Sequence, residues 1–208
     1  MKNLHVAQHP LISHKLTMLR DKNTDTKMFR ELISEISMLL FYEATRDLNL
    51  TKTTVETPVA SSEFDILEND KFTIVPILRA GVGMTSAIQS LIPSARIGVL
   101  GMYRNEETFN PVVYYCKLPE DITETSVFVI DPMLATGGSS IAALDHLKKL
   151  GCKNIKFLSI IAAPEGVENL SREHNDIEIF TAALDIKLNE KNYIVPGLGD
   201  AGDRIFGT

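Results

Sequence analysis

The chain of 208 residues has no tryptophan and only two cysteines, Cys116 and Cys152, which form no C-x-x-C pattern. So few thiols at such a spacing argue against a disulfide framework or a cysteine-built zinc site. They read as two reduced side chains in a cytoplasmic protein. Long apolar runs are missing as well: the most apolar helical stretch, Met38 to Tyr42, stops at Glu43, far short of the roughly 18 residues of a membrane span. The N-terminus lacks the sustained apolar core of a targeting signal. Positive charge is in deficit, with 21 Lys and Arg against 27 Asp and Glu and a net charge of −6. That balance argues against a broad nucleic-acid or membrane surface and leaves small molecules as the expected partners. There is no internal repeat, low-complexity tract or Pro/Gly/Ser-rich linker, so one domain over residues 1–208 is expected.

The chain does hold enough hydrophobic residues, 44%, to bury a full core. Its first 50 residues have helical spacing. Leu11, Lys15, Leu16 and Leu19 fall on one stripe, and Phe29, Leu32, Ile33, Ile36, Leu39 and Leu40 on a second. From Lys71 the pattern changes to short apolar runs, "FTIVPIL", "RIGVLGM", "SVFVID", "IKFLSIIAA" and "IEIFTAA", separated by helical stretches such as "GMTSAIQSLI", "SSIAALDHLKKLG" and "PEGVENLSREH". Runs without strict alternation predict strands buried on both faces, and the helices between them predict an open α/β fold with a mainly parallel sheet.

Ligands of such sheets bind beyond the carboxyl ends of the strands. Three strand exits carry suitable chemistry. "ILRAGVGM" has Arg79 directly after its strand, with Gly81 and Gly83 opening a helix; "GVLGMYRNEE" carries Arg104; and "VFVIDPMLATGGSS" runs from Asp131 through a glycine pair into a helix that Gly151 can stop. Glycines let main-chain N–H groups approach an oxyanion, and Thr136, Ser139 and Ser140 add hydroxyl donors at a helix N-terminus, so this turn suits a phosphate monoester. It is not a Walker loop, which needs G-x-x-x-x-G-K-[ST], nor a G-x-G-x-x-G dinucleotide turn. An acid at the strand end can accept hydrogen bonds from the vicinal hydroxyls of a ribose whose 5′-phosphate sits in the turn. The alternative use of Asp131 is to cap the turn.

"VFVIDPMLATGGSS" resembles the phosphoribosyl-pyrophosphate signature of type I phosphoribosyltransferases. The orotate and hypoxanthine enzymes carry two adjacent acids there, whereas Pro132 in the second position resembles the uracil branch. "PILRAGVGM", "SARIGV", "YRNEET", "AAPEGV" and "YIVPGLGDAGDRIFGT" are similar to that branch in the same order. The resemblance implies a type I phosphoribosyltransferase-like fold with N-terminal helices and a C-terminal base-binding segment. It implies transfer of the 5-phosphoribosyl group to uracil, giving UMP and pyrophosphate in pyrimidine salvage. It assigns the donor to Arg79, Arg104, Asp131, Pro132, Met133, Leu134, Ala135, Thr136, Gly137, Gly138, Ser139 and Asp200, with the two arginines at the pyrophosphate. It assigns uracil to Ile194, Gly199, Asp200 and Ala201, read through the main chain. Asp131, Arg79, Arg104 and Asp200 are the catalytic candidates.

Four of the glycines, Gly197, Gly199, Gly202 and Gly207, lie near the C-terminus, and the segment around them is expected to dock on the core rather than fray. Uracil presents an acceptor, donor, acceptor edge that main-chain groups can match. No histidine among His5, His9, His14, His146 and His174 falls in a motif that would make it a general base. A substitution with oxocarbenium character at C1 depends instead on positioning and electrostatics. The resemblance also implies Mg²⁺, held mainly by donor oxygens and water because no H-E-x-x-H, Cys/His cluster or EF-hand loop is present, so no metal ligand is assigned to the protein. A homodimer or larger homo-oligomer and a GTP effector are further implications. Two rivals are a nucleotide-sensing regulator of the same fold, which the acidic balance opposes, and a purine or orotate enzyme, which Pro132 and "GLGDAG" oppose.

Overall fold

The computed structural model describes residues 3–104 and 111–208, with the side chains of Tyr103, Arg104 and Pro111 outside the description. Strand β1 (Leu4–Val6) leads into helices α1 (Pro10–Arg20) and α2 (Thr26–Ala44). Each helix starts where its sequence provides a cap. The His9 ring accepts the Leu11 N–H at 3.2 Å before Pro10 at the first turn, and Asp25 Oδ1 accepts the Met28 N–H at 2.8 Å. The buried stripe of α1 is Ile12, Leu16 and Leu19. Leu11, expected inside, is 51% exposed, because Pro10 fixes the first turn and Ile12 is the residue in phase with Leu16 and Leu19. In α2 the stripe is the expected one extended by Phe41 and Ala44, with Leu39 at its margin.

A hairpin follows, β2 (Leu50–Glu56) and β3 (Ser61–Leu67), paired only with itself among the described residues. Then come β4 (Phe72–Leu78), α3 (Val82–Leu91), β5 (Arg96–Ile97), β6 (Val99–Arg104), β7 (Pro111–Lys117), β8 (Ser126–Ile130), β9 (Met133–Leu134), α4 (Gly138–Lys149), β10 (Ile155–Ala162), α5 (Pro164–Glu173) and β11 (Glu178–Leu184). The chain ends with the short ladder β12 (Lys187–Leu188) and β13 (Ile194–Val195) and with α6 (Ala201–Phe206).

The main sheet runs β1-β11-β10-β8-β4-β6-β7, with β5 beside β4 and β9 beside β10. Every described pairing in it is parallel except β6 with β7. Strands β8 and β10 are buried along their whole length and β4 along all but its last residue, as expected for a parallel sheet covered on both faces. On one face α1, α2, α3 and α6 pack around Phe29, Phe41, Ile88 and Ile205; on the other α4 and α5 pack around Leu144, Leu147, Val167 and Leu170.

The chain leaves β4 outward to β6 and β7, then returns to lay β8 on the other side of β4, and the helices after β4 and β8 go to opposite faces. The order therefore reverses between β4 and β8, and there the diverging loops leave a crevice. No described helix is long and apolar enough to cross a membrane.

Candidate functional site

Pro76 of β4 pairs with Ile130 of β8, so Arg79 and Asp131 leave the sheet side by side at the reversal point. The Leu78–Arg79 peptide is cis. Gly81 opens α3 in a place no side chain could occupy: an added Cβ would lie 2.6 Å from the Ile130 carbonyl and 2.7 Å from that of Ile77. This glycine lets the two strand exits approach each other.

A cleft of about 480 Å³ lies between the exits and the end of the chain. Its sheet side is formed by Arg79, Ala80, Asp131, Met133 and Ala135, and its far side by residues 191–193 and 199–202. Of the residues expected at the site from their motifs, it brings together Arg79, Asp131, Met133, Ala135, Gly199, Asp200 and Ala201. Ala80, Tyr193 and Gly202, which lie inside the family-like motifs but carry no assigned role there, and Lys191 and Asn192, which lie outside them, line it too.

Asp131 is half-buried, and its Oδ1 accepts the Met133 N–H at 3.2 Å. Burial pushes the carboxyl up to about 7, against the opposing pull of that hydrogen bond. The capping use of this acid is therefore real, but a single main-chain donor leaves a carboxylate with acceptor capacity to spare. Pro132 and Leu134 do not line the cleft. The Pro132 carbonyl accepts the N–H groups of Ile160 and Ile161 at 3.1 Å each, and Leu134 is fully buried among the residues of α4 and α5. Thr136 and Ser139 are exposed, Gly138 is half-buried, and Gly137 adopts φ +84° immediately before α4, a conformation that favours glycine. The α4 helix stops as its sequence predicts, with Gly151 at φ +96°.

Arg79 reaches across the cleft. Its Nη2 lies 3.4 Å from Asp203 Oδ1, and its guanidinium sits 5.5 Å from the centre of the Phe206 ring. The side chain is more than half exposed, so this pair is a weak hold that a polyanion can replace. Asp200 caps α6 by accepting the Asp203 N–H at 2.9 Å. An added Cβ at Gly202 would lie 3.2 Å from Asp200 Oδ1 and 3.9 Å from Arg79 Nη2, so the cation and the carboxylate flank this one glycine. Arg104 ends β6, and its side chain lies outside the described residues.

The tail is docked, and side-chain contacts that span most of the sequence hold it. Arg20 grips Asp185 with both nitrogens, at 2.8 and 2.5 Å, and also donates to the Gly197 carbonyl at 2.7 Å, while Asp185 Oδ2 accepts the Gly197 N–H at 2.8 Å. Arg204 donates to the carbonyls of Leu19, Leu198 and Asp21 at 2.6 to 2.9 Å and stacks 4.3 Å from the Phe29 ring centre. Ile194 buries its side chain and pairs its main chain with Leu188; Gly199 is at φ +82°. Residues 191–193 are presented by Asn189, whose Oδ1 accepts the N–H groups of Lys191 and Tyr193 at 2.9 Å. An Asn followed closely by Lys191 and Asn192 is a turn signal, and it is the clue in the sequence to this rim.

The uracil phosphoribosyltransferase family model matches residues 6–208. Proteins named uracil phosphoribosyltransferase from Natranaerobius thermophilus and Staphylococcus aureus are 57% and 58% identical over the full length of both chains. The solved structure of the AQ2163 protein from Aquifex aeolicus superposes with a TM-score of 0.91 at 39% identity, covering 99% of this chain and 98% of that one. An adenine phosphoribosyl transferase from Trypanosoma brucei, at 11% identity and a TM-score of 0.60 over 96% of this chain and 89% of its own, shares the fold. With a family model over nearly the whole chain and full-length relatives more than half identical, the chain belongs to the uracil phosphoribosyltransferase family.

Proposed function

We infer that the chain transfers the 5-phosphoribosyl group from phosphoribosyl pyrophosphate to N1 of uracil. The C1–O bond to pyrophosphate breaks as the C1–N1 bond forms, and UMP and pyrophosphate leave. The observation that carries this reading is the convergence of Arg79, Asp131, Asp200 and Ala201 on one cleft at the sheet's reversal point, in a member of this family.

Asp131 accepts hydrogen bonds from the ribose hydroxyls, and the turn from Thr136 to Ser139, at the N-terminus of α4, receives the 5′-phosphate. Arg79, released from Asp203, and Arg104 stabilise the charge that collects on the departing pyrophosphate. Main-chain groups of Ile194, Gly199 and Ala201 match the uracil edge, and Asp200 stands between base and donor. Positioning supplies most of the rate, with no strong base required. An assay with labelled phosphoribosyl pyrophosphate and a panel of nucleobases tests this. UMP formed from uracil alone is the expected result, and transfer to a purine or to no base overturns it.

Mg²⁺ fits the site as an ion carried by the donor. Asp131 and Asp200 are the carboxylates of the cleft, and no group of three or more His, Cys, Asp or Glu suited to a metal occurs among the described residues. Most ligands would come from donor oxygens and water, and a bound ion would supply neutralisation of polyphosphate charge. We further propose that the chain works in the cytoplasm as one unit within a homodimer or larger homo-oligomer. The hairpin supports assembly: among the described residues it is unpaired with the main sheet, and it exposes Leu50, Val55, Val59, Phe64 and Ile66, a poor arrangement for a lone two-stranded ribbon. Light scattering with and without GTP tests both assembly and the GTP effector that the family resemblance implies.

A further inference from the structure

The stretch "AAPEGV" resembles the family's uracil branch, yet none of its side chains lines the cleft. It opens α5, and three contacts show where that helix is anchored. Glu165 Oε1 accepts the Leu188 N–H at 2.9 Å, and Leu188 is the ladder partner of Ile194. Gly166 lies so close to the phosphate turn that an added Cβ would sit 2.2 Å from the Ala135 carbonyl and 2.8 Å from that of Leu134. One turn further along, Asn169 Nδ2 donates to the Thr136 carbonyl at 3.0 Å. Two successive turns of one helix therefore hold the two halves of the cleft.

Glu165 is committed to this contact. The Leu188 N–H beside it holds its carboxyl below the usual glutamate range. Its Oε2 is the buried side-chain oxygen that lacks a partner among the described residues. Burying a carboxylate oxygen unpaired is costly, and the main-chain bond at Leu188 is what that cost secures. Asn169 is held in turn by Arg172, whose Nη2 donates to Asn169 Oδ1 at 3.0 Å.

We propose that α5 is a splint between the donor half and the base half of the cleft, with Glu165 a positioning residue for the base segment and Asn169 one for the phosphate turn. This rests on the proposed function. Neither side chain touches substrate; each sets the register of main chain that does.

The two roles separate in steady-state kinetics. Glu165→Ala removes the grip on Leu188 and should raise the Michaelis constant for uracil about tenfold, the effect of one main-chain hydrogen bond, while that for phosphoribosyl pyrophosphate stays within about twofold. Glu165→Gln keeps an acceptor and should stay within about threefold of wild type for both. Asn169→Ala should show the mirror image, a rise in the donor constant. Amide exchange at Leu188 should accelerate in Glu165→Ala but not in Asn169→Ala, and this readout needs no turnover. Both Michaelis constants moving together, or neither moving, overturns the splint in an active enzyme. So does unchanged exchange at Leu188. A wild-type protein that does not convert uracil would instead overturn the function on which the proposal rests.

Discussion

The turn at 131–139 and the tail at 185–208 meet at the same cleft but are held there by different means. The turn is a continuation of the sheet. Asp131 N–H donates to the Leu158 carbonyl, the Pro132 carbonyl takes two N–H groups from β10, β9 pairs with β10, and Ala163 N–H donates to the Leu134 carbonyl. Its shape follows from main-chain bonding and a glycine at positive φ. The tail has only the two-residue ladder of β12 and β13 for regular pairing among the described residues, and its position depends on arginine contacts that span 165 to 185 positions of the chain. A surface that must reverse no polarity can be built from a rigid sheet end. The tail, the half proposed to match the base edge, is cantilevered from side chains, which makes it the half more open to disruption.

If the tail reads uracil through its main chain, a base with a different edge should disrupt the fit most. Cytosine has nearly the shape of uracil but reverses two hydrogen-bond polarities, and a main-chain frame cannot rotate to suit it. Leaving buried polar groups unpaired typically costs about 10⁴-fold in discrimination. Cytosine should therefore be almost inert in the nucleobase assay. Turnover within tenfold of uracil would falsify main-chain readout by the tail.

On the turn side, if Asp131 holds the ribose as proposed, Asp131→Asn should lower kcat/KM by about 10- to 1,000-fold, because an amide replaces the carboxyl proposed to accept the ribose hydroxyls. Its effect on stability should have the opposite sign. A carboxyl raised to about 7 in the folded protein binds protons there that the unfolded chain has already released, so its unfavourable burial grows as pH rises from about 4 to 7. The Asn variant escapes this and should gain on the order of 1–2 kcal/mol over wild type at pH 8, less than the full shift would give because solvent screens the half-buried group, and almost nothing at pH 4. Thermal unfolding of the donor-free proteins across that range checks it; a difference that does not change with pH would mean that Asp131 is not a buried acid.

Gly137→Val sharpens the same half. The residue sits at φ +84° against the Gly166 carbonyl, 3.1 Å from an added Cβ, so a β-branched side chain is both strained and crowded, costing about 1–2 kcal/mol. Donor affinity by calorimetry should fall at least about tenfold, since a shift of this turn misplaces its N–H groups. Unchanged affinity would remove the turn from the donor site.

The contrast also explains what can be read from the sequence. The buried strands, the helices of the main fold and the Asp131 turn are legible because their determinants are local: apolar runs, a glycine pair and a helix stop at Gly151. The exposed hairpin is not, since its strands carry no buried face to impose a hydrophobic pattern. Leu11 falls on the wrong side of α1 in a reading by spacing, because spacing alone does not choose between neighbouring stripes. The rim residues Lys191, Asn192 and Tyr193 leave only a turn signal at Asn189 in the sequence, because their place in the cleft comes from folding the far end of the chain back onto α1 and α2. That Arg20 and Arg204 hold the tail cannot be seen without the fold, as nothing local distinguishes them from surface arginines.

The smallest expected effect tests that long-range hold directly. Arg20→Lys keeps the charge near Asp185, but an ammonium cannot present two parallel donors to the carboxylate and a third N–H to the Gly197 carbonyl. One contact should be lost or lengthened, and because the Asp185 carboxylate is almost fully buried the loss is felt more than at a surface pair, on the order of 1–2 kcal/mol. Gly197 and the segment beyond it should loosen while the turn, which shares no bond with Arg20, stays as it is. The variant should therefore melt a few degrees lower, raise the Michaelis constant for uracil about two- to fivefold, and leave donor affinity at the wild-type value. Equal changes in both substrates' constants would show that the tail and the turn move as one body, and that the arginine hold does not act on the base half alone.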